Sequence, residues 1–101
     1  MNTKENCIKA CLACMIACEK CCTMCVAMVG HEGCVNVCRD CADICALCAR
    51  LSARDSKFAA ELCALCVKCC EACIKECGKH EDACCKECVE ACQKCLEACK
   101  I

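Results

Sequence analysis

The sequence has no proline, tryptophan or tyrosine, one phenylalanine (Phe58) and three glycines. Without proline nothing forces a long helix to break, and without aromatics there is no platform on which nucleic-acid bases could stack. Neither charge dominates. Thirteen Lys and Arg stand against 14 Asp and Glu, interspersed instead of blocked, so nucleic acid and anionic membrane are expected not to be partners. No uncharged apolar run reaches transmembrane length. The opening residues, Met-Asn-Thr-Lys-Glu-Asn-Cys, followed by Lys9, Glu19 and Lys20, do not spell a secretory leader. The expected location is therefore a reducing cytoplasm, where disulfides are disfavoured.

What the chain has instead is cysteine, 24 of 101 residues. A chain of this length makes one domain, residues 1–101. Outside the cysteines, Ala, Leu, Lys and Glu favour helix throughout. Three breaks interrupt the pattern: Gly30-His31-Glu32-Gly33, Ser52-Ala53-Arg54-Asp55-Ser56, and Gly78-Lys79-His80, whose glycine suits a position just past a helix end. They predict helical segments at about 3–29, 34–52, 56–77 and 81–100. Thr3, Asp55 or Ser56, and Glu81 with Asp82 suit the helix starts. Short connections make sequential helices antiparallel, which predicts an all-α, up-down-up-down four-helix bundle.

The cysteines recur in steps of three and four, the spacing that holds side chains on one helix face. The first segment carries Cys7, Cys11, Cys14, Cys18, Cys21 and Cys25, and the second Cys34, Cys38, Cys41, Cys45 and Cys48. The third carries Cys63, Cys66, Cys70, Cys73 and Cys77, and the fourth Cys85, Cys88, Cys92, Cys95 and Cys99. Cys22, Cys69 and Cys84 lie three or four residues from a seam cysteine and widen the stripe. On the fourth segment Lys86, Glu87, Glu90, Gln93, Lys94, Glu97 and Lys100 collect on the opposite face, so the thiols are expected to point inward. Free cysteine can pack as a small hydrophobe. A core of such small side chains, however, would be underpacked, and core cavities cost about 2 to 5 kcal/mol each. Metal is the expected filler.

Soft thiolates select Cu(I), zinc or iron–sulfur clusters. Zinc wants about four thiolates per dication, and six to eight such ions would leave about eight or more negative charges buried among 24 thiolates. Monovalent copper with each thiolate bridging two ions approaches one metal per sulfur and a neutral interior. Cys63, Cys66, Cys69 and Cys73 do match the spacing of a ferredoxin cluster run, but Ile74 stands where that run has proline and the four lie within a helical seam. Multiple Cu(I) ions per chain are the expected cargo, held and released without turnover chemistry. A zinc or cadmium metallothionein-like buffer, an iron–sulfur redox protein and a disulfide-stapled scaffold are the alternatives.

The whole pattern, with the strings Ala42-Asp43-Ile44-Cys45-Ala46-Leu47-Cys48 and Cys70-Glu71-Ala72-Cys73 through Cys77-Gly78-Lys79-His80, resembles the cytosolic branch of the bacterial copper storage proteins. The resemblance implies cytosolic Cu(I) storage, a homotetramer, and metal passage near one bundle end. The chain departs from that family in its denser cysteine set and in having one histidine in each of two loops. The proposed topology brings His31 and His80 to one end with Met24, Met28, Cys25, Cys34, Cys77 and Cys84. His31, His80 and Met28 are therefore candidate ligands for receiving copper, with small thiols or copper chaperones as exchange partners. The opposite end, near Cys7, Cys48, Cys63 and Cys99, is expected to be tighter.

Overall fold

The computed structural model describes residues 3–100, and these form four helices joined by three short loops: α1 (Thr3–Cys25), α2 (Glu32–Ala53), α3 (Ala59–Cys77) and α4 (Ala83–Cys99). Each helix packs against its two neighbours around a square, α1 on α2, α2 on α3, α3 on α4 and α4 on α1. The bundle is 41 Å long and 21 by 17 Å across, as expected of antiparallel helices of this length. The loops 26–31 and 78–82 share one end, while the loop 54–58, the start of α1 and the end of α4 share the other.

Helix boundaries differ from expectation where the cysteine seam stops. α1 ends at Cys25, four residues short of the predicted limit. Beyond it there is no inward thiol to hold a further turn against α4. Val26 and Val29 face solvent, the Met28 amide bonds the Cys25 carbonyl in a tightened turn, and Gly30 turns the chain at φ +87°, which glycine adopts freely. α2 begins earlier than predicted, so Gly33 is inside a helix and not part of the break. Its bare Cα lets the carboxylate of Glu76 on α3 approach to where a Cβ would stand. Gly78 closes α3 in a right-handed conformation, with its amide bonding the Ile74 carbonyl, so the left-handed glycine cap is not used. At the start of α3 the Ser56 hydroxyl accepts from the Phe58 amide at 3.1 Å.

The outward faces mix polar residues with exposed Leu12, Ile16, Leu47 and Leu65, and every residue of the predicted charged stripe is exposed. Val35, Ala42, Ala49 and Leu96 are buried beside the thiols, and Ile8, Met15, Ile44, Leu62, Val67, Ile74 and Val89 flank them. This border of aliphatic side chains supplies apolar burial at roughly 25 cal/mol per Å². The middle of the bundle is left to sulfur.

Candidate metal centre

Twenty-one of the 24 cysteines are buried and three, Cys22, Cys69 and Cys84, are half-buried; all are free thiols. Because each helix contributes one thiol about every 3.5 residues, the buried sulfurs fall into five layers of four, spaced about 5 Å along the axis. At the terminal end Cys7 lies 3.1 Å from Cys99 and 3.9 Å from Cys63, which is 3.7 Å from Cys48. Next, Cys45 is 3.6 Å from Cys66 and 3.9 Å from Cys95, which is 3.7 Å from both Cys66 and Cys11. The central layer joins Cys14 to Cys92 at 3.5 Å and to Cys41 at 4.0 Å, with Cys70 3.9 Å from Cys41. In the fourth, Cys88 is 3.6 Å from Cys38 and Cys73 and 3.7 Å from Cys18. In the fifth, Cys34 is 2.7 Å from Cys77, 3.6 Å from Cys21 and 3.9 Å from Cys85. Cys25 stacks above this last layer, 3.8 Å from Cys21 and 3.6 Å from Cys85.

The layers are also joined lengthwise. Cys11 to Cys99 is 3.6 Å, Cys14 to Cys18 4.0 Å, Cys41 to Cys45 3.8 Å and Cys38 to Cys77 3.6 Å. Sulfur therefore runs the length of the bundle without a gap, and groups of four such as Cys7, Cys11, Cys48 and Cys99, or Cys14, Cys18, Cys41 and Cys92, lie close enough to share an ion.

Proton affinity across this array is uneven. Burial pushes Cys21 up, and Cys34 up to about 11, because a thiolate without a counter-charge is costly inside. Cys38 and Cys88 are held below the usual thiol range by hydrogen bonds from Cys18 and Cys73, and Cys41 by Cys14 and Cys18. Cys18, placed among these acceptors and Cys14, is pushed up. Thiols that are held low are therefore those whose neighbours donate S–H groups to them, and the donor these three share, Cys18, is held high. A soft cation that replaces those protons removes the burial cost that holds the rest protonated.

Geometry alone admits two metals. A tetrahedral zinc thiolate with bonds of about 2.3 Å has sulfur–sulfur edges of about 3.8 Å, which these layers also offer. Charge decides between them: five layers of four thiolates carry twenty negative charges, which twenty monovalent ions balance and five dications do not. The ferredoxin-like run is no cluster loop. Cys63, Cys66, Cys69 and Cys73 lie along the straight helix α3, with Cys69 displaced from the buried face.

Each half-buried thiol borders a neighbouring helix. Cys22 faces the Val35 carbonyl of α2 at 3.9 Å. Cys69 shares a surface cleft with Asp40, Asp43 and Ile44 of α2. Cys84 lies 3.8 Å from Cys25 of α1, and burial first, then the Cys25 thiol, raise its proton affinity.

His31 and His80 do meet, with ring centroids 3.7 Å apart and planes at 20°. Sequence reasoning missed what holds them. The His31 Nε2 is 2.7 Å from Oδ2 of Asp82 and its Nδ1 is 3.3 Å from the Val29 carbonyl. Both partners only accept, so both favour the protonated ring; the Asp82 bond is the main cause of its raised pKa. Asp82, the residue before α4, spends its carboxylate on this pair and caps no helix amide. Met28 is partly buried against the core, and Met24 is exposed.

At the opposite end Cys7 and Cys48 are sealed at 1% and 0% exposure while Cys63 and Cys99 retain 7% and 4%; at the loop end Cys25 and Cys34 are at 1% but Cys84 is half-buried, so neither end is uniformly the tighter. Two loops and a ring stack cover one end, and among the described residues one loop covers the other, fastened by Lys4 Nζ donating to Asp55 Oδ1 at 2.9 Å.

Comparison with known proteins agrees with this architecture. The profile of the family described as Csp, copper storage protein, matches residues 1–101. A Cu(I)-bound copper storage protein, BsCsp3, superposes with a TM-score of 0.93 at 46% identity, covering 98% of this chain and 96% of that one. The metal-free copper storage protein 3 from Bacillus subtilis gives 0.89 at 48% identity, covering 95% and 94%. No curated protein sequence matches. A thiol-filled four-helix bundle, matched along its whole length by one family profile, leaves a single assignment: the chain belongs to the copper storage protein family.

Proposed function

We propose that this protein stores Cu(I), many ions per chain, on the inward thiolates of its four helices. The observation that carries the reading is the unbroken array of five four-sulfur layers, whose charge only a monovalent soft ion balances at one metal per sulfur. Loading exchanges thiol protons for copper and withdrawal by competing thiols reverses it, so the protein's work is binding and release, not catalysis. The ligands are the 20 layer cysteines and Cys25, with Cys22, Cys69 and Cys84 at the margin. Met28 and His80 supply weaker ligands near the loop end, and His31 does so once it leaves Asp82.

A cytoplasmic location fits the free thiols, since a reducing compartment keeps them available. Small thiols or a copper chaperone are the exchange partners such a compartment offers. Assembly to a homotetramer is supported by apolar side chains left on the outer faces, among them Leu12, Ile16, Leu47 and Leu65, and size-exclusion chromatography with light scattering measures it directly. The central test is an anaerobic titration of the reduced chain with Cu(I) against a chromogenic chelator. About 20 or more equivalents are expected from one bridging ion per sulfur; saturation below about eight, the range of zinc-like tetrathiolate loading, would exclude the continuous copper array.

A further inference from the structure

The storage reading requires copper to cross from solvent into an array whose sulfurs are almost all sealed. Axial passage at the loop end meets the stacked His31 and His80, and His31 has both nitrogens committed to Val29 and Asp82. Of the three half-buried thiols, Cys22 faces a backbone carbonyl and Cys69 opens on a cleft with Asp40, Asp43 and Lys68 and no second sulfur. Cys84 differs. It lines a cleft of about 500 Å³ between α1 and α4 together with Met24, whose thioether side chain is 57% exposed.

Behind Cys84 the sulfurs continue inward. Its Sγ is 3.8 Å from Cys25, which is 3.6 Å from Cys85 and 3.8 Å from Cys21 in the fifth layer. We infer that Cys25, Cys84 and Cys85, with the Met24 thioether at their outer edge, form a lateral acceptor site that takes Cu(I) from a small-molecule thiolate complex and passes it into the core between α1 and α4. This rests on the storage reading above.

The cleft is of the size that holds a small ligand, not a protein surface. Its rim carries Lys20 with Glu19 and Glu87, so capture of the complex rests on the sulfurs of Met24 and Cys84 and not on net charge. The transfer is ligand exchange without redox. Cys84 and then Cys25 form sulfur–copper bonds as the two bonds to the donor thiolates break. The two protons leaving the protein thiols go to the two departing donor thiolates, and copper stays monovalent. The Met24 sulfur, a neutral and weaker ligand, holds the ion transiently while one bond replaces another.

The test is the initial rate of anaerobic Cu(I) uptake from its glutathione complex, followed by thiolate-to-copper absorbance, with total capacity measured separately. Cys84→Ser is expected to slow uptake roughly tenfold, because the accessible thiol that first exchanges its proton for the metal is gone, while capacity falls by about one ion at most by the bridging count. Cys22→Ser and the double variant His31→Ala with His80→Ala are expected to slow loading much less than Cys84→Ser does, because none of these residues lines the cleft between α1 and α4. A Cys84→Ser chain that loads normally, a Cys22→Ser chain slowed equally, or a slowed histidine variant beside a normal Cys84→Ser chain would overturn the inference. To keep the test independent of variant folding, a short iodoacetamide pulse on the unaltered metal-free protein should label Cys84 first and produce the same slowing. Failure to label it, or labelling without slowing, also overturns the inference. Capacity of the parent chain below about eight ions would remove the storage reading and this inference with it; full parental capacity with an unchanged Cys84→Ser rate removes this inference alone.

Discussion

The two ends of the bundle differ in a way that ligand counting misjudges. The loop end gathers two histidines and two methionines, yet its imidazoles stack on each other and bind Asp82, and the soft ligands open to solvent there are Cys84 and Met24 at the side of the bundle. Among the described residues the other end has no imidazole or thioether, yet Cys63 and Cys99 keep a little exposure and line a surface cleft with Ala60. Abundance of soft ligands and access to them are thus separate properties. Access depends on what the polar groups of the loops do with one another.

The largest test of this difference is a plug. Replacing the central layer with alternating small and large apolar residues, Cys14→Ala, Cys41→Val, Cys70→Ala and Cys92→Val, keeps the total core volume close to its original value, a change cores tolerate well. If copper passes only from the loop end, it should then fill the fourth and fifth layers with Cys25 and Cys84, and capacity should fall to about ten ions at one per sulfur. If both ends admit copper, the loss is limited to about the four deleted ligands. Chelator titration at equilibrium and after a short loading time separates the two outcomes.

A smaller effect concerns the metal-free protein. Alkylation at short times, mapped by peptide mass spectrometry, should modify Cys84, Cys22 and Cys69 first, then Cys63 and Cys99, and thiols such as Cys18 and Cys66 last. Exposure sets this order, because the reagent reaches sealed thiols only when the bundle opens. Equal labelling of Cys18 and Cys84 would mean that the empty bundle is not closed, and that the contrast between the ends arises only after loading.

How much of this was legible beforehand follows from the physics of each feature. The inward stripe was legible because helical period and cysteine spacing coincide over every segment, from Cys7 to Cys99, and no tertiary detail can undo a coincidence of that length. The layers were not, since they depend on the axial offsets of four helices, which loop geometry sets. The end of α1 was misjudged because Val26, Ala27, Met28 and Val29 contain no helix breaker, although past the last seam thiol at Cys25 the side chains of Val26 and Val29 stand in solvent. Gly33 was read as a breaker, but a glycine in the first turn of a helix costs only about 1 kcal/mol relative to alanine and here admits Glu76. The role of Asp82 was hidden for a different reason. Its partner is 51 residues away, and a carboxylate before a helix reads as a cap.

The smallest expected effect tests that pair. In the metal-free protein, His31 should titrate above its ordinary value of 6.5 and Asp82 below its ordinary 3.8, which proton NMR of the imidazole resolves. Because the folded pKa of His31 is raised, its contribution to stability is complete below 6.5 and disappears as pH climbs through the raised value. Because that of Asp82 is lowered, its contribution is complete above 3.8 and disappears as pH falls through the lowered value. The clasp is therefore firmest between those limits and loosens on the alkaline side first. Asp82→Asn removes the charge but keeps a hydrogen-bond acceptor, so His31 should return toward its ordinary range, with Glu32 still favouring the charged ring weakly. Thermal stability should change little, since solvent close to the pair screens its charges. An unmoved His31 titration in Asp82→Asn would show that the ring is held by its stack on His80 and by Val29, and the sealing of the loop end would then owe nothing to charge.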